Sequence, residues 1–438
     1  MSAQEESTPF ANFPKFYGDP TWLLQDRFGL FIHWGLYAAA ARHEWVMNRE
    51  QIHPDVYRKY FEHFEPDLFD PTQWARAAKA AGMKYFVVTT KHHEGFALWD
   101  SQLTDYKVTN TPIKRDLLRE IVEAFRHEGL RVGFYHSLID WHHPDFPLDG
   151  LHPQRDADDF KAMAAHRKIS RYRTYLHGQV RELLSNYGKI DYLWFDFSYA
   201  HQDWGWSKGK GAADWDSKEL EQLIFDLQPD ILLNDRLDLN RGVVTPEQYQ
   251  PSTPLMKEGL PVVWEACQTM NGSWGYDRDN LDWKSVDMLI KMLIDSVSKN
   301  GNLLLNIGPN GRGEVDPASL DRLNGLGKWM RLHSRAIYGA GASSFQPPVD
   351  CRYTQKGKRL YLHIFSWPFK HVHLPGLAGK VDYAQFLHDA SEICMEEHVP
   401  NKVITSTEAE SETGTVTLEL PIQKPDPVVP VIELFLKE

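Results

Sequence analysis

The sequence is poor in cysteine, short of positive charge and without a long apolar run. Its three cysteines, Cys267, Cys351 and Cys394, are odd in number and far apart. They form no disulfide framework and no CxxC zinc pattern, so a reducing cytoplasm is the simplest expectation. Lys and Arg total 48 against 60 Asp and Glu, a formal net charge of −12. Such a chain repels a polyanion on average, so nucleic acid is not an expected partner. No stretch of ~18 residues is uninterruptedly apolar, which excludes a membrane-spanning helix and gives no reason to expect a membrane partner. The first residues, MSAQEE, lack the basic head and apolar stretch of a secretory leader. Internal repeats and low-complexity tracts are also lacking.

What is present is ordinary in bulk and unusual in detail. The 438 residues are 42% apolar and 25% charged, enough to bury a large core. At ~150 residues per domain the length fits two or three domains, or one large barrel plus a small module. Aromatic rings and imidazoles are abundant, with 15 Trp, 18 Tyr, 22 Phe and 20 His. Flat rings beside imidazoles suit a sugar site, although most such rings serve a core.

Short apolar runs that end in polar residues recur at Phe28–His33, Tyr85–Lys91, Arg131–Ser137, Tyr192–Asp196, Ile231–Asp235, Val262–Glu265 and Asn302–Ile307. Between them lie helical patterns at Asp70–Ala81, Leu117–Arg126, about Asp158 to Tyr187, Ser217–Leu227 and Ser285–Ser298. Asp70-Pro71 is a good cap and first-turn pair. Strands alternating with helices predict a parallel sheet with crossover helices, and this many units favour a (β/α)8-like barrel. Beyond Gly339–Ser344 the pattern changes to period two, at Arg359–Ser366, Val381–Phe386, Thr415–Leu420 and Val431–Leu436. The chain therefore reads as a catalytic barrel over 1–340 and a small antiparallel β-sandwich over 341–438.

In a barrel the reactive groups sit where strands end. The first such end is Phe31-Ile32-His33-Trp34-Gly35, followed by His43-Glu44-Trp45. The second is Lys91-His92-His93-Glu94, where paired histidines can bind hydroxyls or a metal. The third is Tyr135-His136-Ser137, in which neighbours on a regular strand face opposite ways. The fourth is Trp194-Phe195-Asp196, a lone carboxylate closing an apolar strand, which is costly unless paired or used. The fifth is Asn234-Asp235-Arg236, where one charged residue faces the pocket and its neighbour supports it. Two glutamates compete as partner to Asp196, Glu247 in TPEQY and Glu265 in WEAC. A pair of carboxyls flanking a bond is what glycoside cleavage requires, one attacking carbon and the other protonating the leaving oxygen.

The segments FGLFIHWG, HEW, TTKHHEGFALWDS, DWHHPD, YLWFD, NDR, WEACQTMNGSWGY and NGNLLLNIGPNGRG occur in this order. Together they resemble the α-L-fucosidases of glycoside hydrolase family 29, over about residues 15 to 340. The resemblance implies a retaining, exo-acting hydrolase of terminal α-L-fucose that needs neither metal nor cofactor. It places Asp196 at the nucleophile and puts His33, Glu44, Trp45, His92, His93, Tyr135, Trp194 and Arg236 around the sugar. For the acid/base it favours Glu247, with Glu265 as rival. A retaining pair of carboxyls stands ~5–5.5 Å apart. Phe195 and His136 stand where relatives vary, which points to an altered pocket rim. Loop Tyr199–Asp216, with Trp204, Trp206 and Trp215, is expected to shape selection of what lies beyond the fucose. The implied partner is a fucosylated glycan or fucoside, and a homo-oligomer stays open. Readings from other classes are a non-catalytic fucose-binding protein and a metal-dependent hydrolase using His92, His93 and Asp196.

Overall fold

A computed structural model describes residues 9–397 and 414–437. Seven parallel strands form one curled sheet: β1 (Phe28–Ile32), β2 (Tyr85–Lys91), β3 (Arg131–Ser137), β4 (Tyr192–Asp196), β5 (Leu232–Leu233), β6 (Glu265–Thr269) and β7 (Asn302–Ile307). Their order is β5-β4-β3-β2-β1-β7-β6. The two edges, β5 and β6, are joined by residues 243–248. Val243 bridges to Asn234 beside β5, Val244 to Trp264, and Glu247 to Cys267 of β6, all in parallel sense. The backbone bonds Val243 N–H to Leu233 O (2.8 Å) and Gln248 N–H to Cys267 O (3.0 Å) complete that closure. The sheet is thus a barrel whose eighth stave is irregular.

Helices cover the outside because each has one apolar face to bury. Pro71–Ala80 begins where expected, with the Asp70 side chain accepting from Thr72 and Gln73 N–H and proline in the first turn. Leu117–His127 is capped by Asp116 and Val286–Val297 by Ser285. Between β5 and β6 a 3-10 turn at Asp235–Leu237 and a tight hairpin replace a helix. After the helix Pro317–His333, residues 351–436 contribute two antiparallel sheets. The first contains β8 (Cys351–Lys356), β9 (Arg359–Ile364), β11 (Val381–Phe386) and β14 (Val431–Leu436). The second contains β10 (His371–Leu374), β12 (Met395–Glu397) and β13 (Val416–Glu419). Leu362 and Leu434 from the first, and Leu374 and Leu418 from the second, share one buried core, which makes a sandwich. Arg335 to Glu433 (3.0 Å) and Trp329 Nε1–H to Val429 O (2.9 Å) tie it to the barrel.

Three local expectations are corrected. The helix expected over about Asp158 to Tyr187 is two, Phe160–His166 and Ile169–Asn186. At the break Arg167 is extended, and its guanidinium donates to Phe146 O (2.8 Å) and His143 O (3.2 Å). The strand expected at Ile231–Asp235 is only Leu232–Leu233. There the Asn234 side chain takes over from the backbone, accepting from Phe195 N–H (2.9 Å) and donating to Phe195 O (2.8 Å). The strand expected at Val262–Glu265 is Glu265–Thr269. Val263 N–H is occupied by Asn12 Oδ1 (3.1 Å), and pairing with β7 begins only at Glu265 with Asn302. Glu265 is therefore the first residue of its strand and lies at the bottom of the barrel, away from the strand ends.

The barrel interior carries polar groups at that bottom layer. Glu265 is fully buried and accepts hydrogen bonds from Tyr85 and from Tyr192 Oη (3.3 Å), each the first residue of its own strand. Burial raises its pKa from 4.5 to about 7, against the pull of those donors. Between these values the folded chain keeps a proton that the unfolded chain has released. Stability from this group is thus full below pH 4.5 and is lost as pH climbs through about 7. Urea midpoints across pH 4.5 to 8 test this. Wild type should lose stability over that interval relative to Glu265→Gln, and parallel curves would contradict it.

Asn12 plugs the seam from below. Its amide donates to Gly242 and to Val263 O (3.2 Å), and its Oδ1 accepts from Val263 N–H. Asn12→Ala should cost about 2 kcal/mol, because two buried backbone groups, Gly242 O and Val263 N–H, lose their partner, while Val263 O keeps Val244 N–H. The thermal midpoint reports that loss, and an unchanged midpoint would show the seam does not need this plug.

Candidate active site

At the carboxyl end of the barrel the structure gathers Phe31, His33, Glu44, Trp45, His92, His93, Tyr135, Trp194, Asp196, Phe197, Glu247, Cys267 and Trp274 around one pocket. Inward residues alternate along each strand, so β1 offers Phe31 and then His33, and β4 offers Trp194 and then Asp196. Arg236 reaches the same place from the 3-10 turn after β5. All the binding residues expected from sequence converge here, together with Asp196 and Glu247. Glu265 does not, since it lies below the pocket floor.

Asp196 is held on both oxygens. Tyr135 Oη–H donates to Oδ2 (2.7 Å) and Arg236 Nη1 to Oδ1 (3.1 Å). The other arm of the same guanidinium, Nη2, donates to Glu247 Oε2 (3.2 Å). Arg236 is itself fixed by Thr245, through Nε to Oγ1 (3.0 Å) and Nη2 to the carbonyl (3.2 Å), and it lies 5.1 Å above the Trp194 ring. Thr245 Oγ1 donates onward to Asp235 Oδ1 (2.9 Å). Of the adjacent charged pair, Arg236 faces the pocket and Asp235 supports it. Glu247 holds its proton to higher pH than an ordinary glutamate. Burial is the main cause and the Asp196 charge adds to it, while Arg236 opposes both.

Three side chains have their hydrogen-bonding sense fixed by what lies behind them. Asn306 Nδ2 donates to the Trp274 carbonyl (2.7 Å), which leaves Oδ1 facing His33 Nδ1 (2.7 Å). His33 Nδ1 must carry the proton, and burial together with the nearby His92 lowers its pKa to about 3. Its Nε2 is a bare acceptor. Ser137 Oγ–H donates to Ile139 O (2.7 Å) and so accepts from His93 Nδ1 (2.7 Å). Burial, with His92 and His33, pushes the His93 pKa far down, so its Nε2 is also an acceptor. It stands 3.9 Å from Asp196 Oδ2, which is too long for a hydrogen bond and is no ion pair, since both groups offer lone pairs. Glu44 is buried, yet His43, His92 and the Gly275 N–H (2.9 Å) overcome the burial penalty and hold it ionised, with a pKa of about 2.

The pocket walls are aromatic. Phe31 meets Trp194 at 5.2 Å, and Trp194 stacks on Tyr135 at 5.6 Å and 20°. Trp45 packs on His93 (5.0 Å), Trp141 (5.2 Å) and Phe197 (5.2 Å). Phe197 has φ of +81°, an uncommon conformation for a non-glycine residue that turns its ring into the pocket beside Asp196. Sequence reasoning missed Phe197, Phe31, Cys267 and Trp274 as pocket residues. Trp274 lies within a segment already singled out, whereas nothing local marks Phe197. The altered rim expected from Phe195 and His136 is not found. Both are buried on the opposite face of their strands, with His136 Nδ1 2.9 Å from Thr90 Oγ1. In loop 199–216 Trp215 is buried and bonds Ser198, Trp204 is half-buried, and Trp206 is exposed. Among the described residues no group of three or more His, Cys, Asp or Glu is placed to share a metal ion.

A family model described as Alpha-L-fucosidase matches residues 3–335. The tissue alpha-L-fucosidase of Rattus norvegicus is 30% identical over 379 residues, covering 80% of this chain and 77% of the rat protein. That of Homo sapiens is 30% identical over 376 residues, covering 80% and 76%. Alpha-L-fucosidase isoenzyme 1 from Paenibacillus thiaminolyticus superposes with a TM-score of 0.89 at 46% identity, over 96% of this chain and 99% of that one. A GH29 alpha-L-fucosidase from Bacteroides thetaiotaomicron, solved as a trapped covalent intermediate, superposes at 0.81 with 27% identity, over 97% and 99%. This chain belongs to the α-L-fucosidase family, glycoside hydrolase family 29.

Proposed function

We propose that Asp196 and Glu247 are the catalytic pair of this enzyme and that the surrounding acceptors select the sugar. The chain is a retaining α-L-fucosidase acting on fucosylated substrates. The observation that carries the residue assignment is the single Arg236 guanidinium placed between the two carboxyl groups. Asp196, aligned by Tyr135 and Arg236, attacks C1 of the fucoside while Glu247 gives its proton to the departing oxygen. The covalent β-fucosyl ester then reacts with water, from which Glu247 takes a proton, and α-L-fucose leaves with net retention.

Sugar recognition follows from the polarity of the wall. Bare acceptors at His33 Nε2, His93 Nε2 and the Glu44 carboxylate require hydroxyl donors. A polyol supplies them, whereas an analogue lacking a hydroxyl leaves a buried acceptor unpaired. Trp45, Phe31, Phe197 and Trp274 offer apolar surface suited to the C5 methyl and the bare face of a 6-deoxy sugar. Glu265, without access to the pocket, is read as part of the barrel's support.

Release of 4-nitrophenol from its α-L-fucoside tests the pair. Asp196→Gly should lose ~10³-fold or more in kcat while staying folded. Glu247→Ala should lose ~10²- to 10⁴-fold on poor leaving groups and far less on activated aryl fucosides. Azide should then rescue each variant with a different product. In Glu247→Ala it should yield the α-fucosyl azide by two displacements, and in Asp196→Gly the β-fucosyl azide by one. Near-normal turnover of Asp196→Gly, or the Glu247 pattern appearing in Glu265→Ala instead, would overturn the assignment.

A further inference from the structure

Glu247 stands on the barrel's irregular stave, and its carboxyl group is bonded by Arg236 alone among the hydrogen bonds of the described residues. The direction of its side chain is therefore set by the backbone on either side. On one side the Pro246 carbonyl accepts from Cys267 N–H (3.0 Å). On the other, Gln248 N–H donates to Cys267 O (3.0 Å), and Gln248 takes a left-handed φ of +52°. A non-glycine residue holds that conformation only where its surroundings impose it.

The Gln248 side chain supplies that constraint. Its Nε2 donates to Thr269 Oγ1 (2.7 Å), and its Oε1 accepts from Thr269 N–H (3.4 Å). Thr269 is the last residue of β6 and is fully buried. Its hydroxyl proton is already given to the Asn271 carbonyl, so Oγ1 can only accept. The amide of glutamine fits this demand, with a donor for the hydroxyl and an acceptor for the N–H. The clasp thus fastens the residue after Glu247 to a regular strand and to the loop that carries Trp274.

We propose that Gln248 is the positioning residue for the acid/base. Its clasp on Thr269 sets the direction from which Glu247 meets the leaving oxygen. This rests on the reading of Glu247 as acid/base. Asp196 lies on β4 and is held by Tyr135, so loss of the clasp impairs protonation more than nucleophilic attack.

The test compares Gln248→Ala, Gln248→Gly and Glu247→Ala on aryl α-L-fucosides running from 4-nitrophenyl to phenyl. Glycine adopts the left-handed φ without strain but has no amide, so it separates the clasp from the backbone conformation. Both Gln248 variants should lose at least ~10-fold more kcat on the phenyl than on the 4-nitrophenyl fucoside, because only the poorer leaving group depends on the proton. KM should change less than kcat, and azide should accelerate both. A loss equal across all leaving groups would mean a merely structural role and overturn the inference. So would wild-type kinetics in Gln248→Gly. If Glu247→Ala shows leaving-group dependence and azide rescue while the Gln248 variants do not, the inference fails and the acid/base reading stands. If Glu247→Ala shows neither, the acid/base reading itself fails.

Discussion

One guanidinium carries the electrostatics of the site. Arg236 is bonded to Asp196 by one arm and to Glu247 by the other, and its plane lies over Trp194. The Asp196 charge adds to burial in making Glu247 keep its proton to higher pH than an ordinary glutamate. The cation between the two groups opposes that rise without cancelling it. The arginine in turn needs Thr245 and Asp235 behind it, and the conformation of Thr245 belongs to the stave that also carries Glu247. The ionisation of the site and the closure of the barrel are therefore linked through a few residues on one seam.

The seam gives up regularity for that purpose. Elsewhere the barrel uses parallel ladders, with one register shift between β2 and β3 at Thr89 and Lys91, but residues 243–248 make isolated bridges and lack a helix before β6. The missing contacts are replaced by side chains, with Asn234 standing in beside β4, Asn12 beneath and Gln248 above. Left-handed backbone at Phe197 and Gln248 follows directly on Asp196 and Glu247, which places local strain next to both carboxyl groups. Behind the pocket, Asn306 and Ser137 fix His33 and His93 as acceptors, so the polarity of the wall depends on residues that do not themselves line it.

Much of this was legible in the sequence where one residue type has one physical use. Asp70-Pro71 announced a helix start, and the lone carboxylate closing YLWFD announced a strand end. The strand at 265–269 was not legible, because its inward residues Glu265, Cys267 and Thr269 are less apolar than the run before it. That run lies outside the sheet, held by Asn12 from more than two hundred residues away. The same shift moved Glu265 from the pocket to the barrel floor. The helix break at Arg167 has no glycine or proline to mark it, since its cause is an arginine reaching two distant carbonyls. Phe197 escaped notice for a similar reason, as its inward turn comes from a backbone angle that a phenylalanine does not advertise.

The central claim is that burial and the Asp196 charge together make Glu247 hold its proton to higher pH than an ordinary glutamate, against the pull of the Arg236 cation. Carbon-13 NMR of the labelled Glu247 carboxyl, followed through a pH titration in wild type and in Asp196→Asn, measures this directly. Glu247 should titrate above the ordinary glutamate value of 4.5 in wild type, and its midpoint should fall when the Asp196 charge is removed. A midpoint at or below 4.5, or one unmoved in Asp196→Asn, would contradict the account.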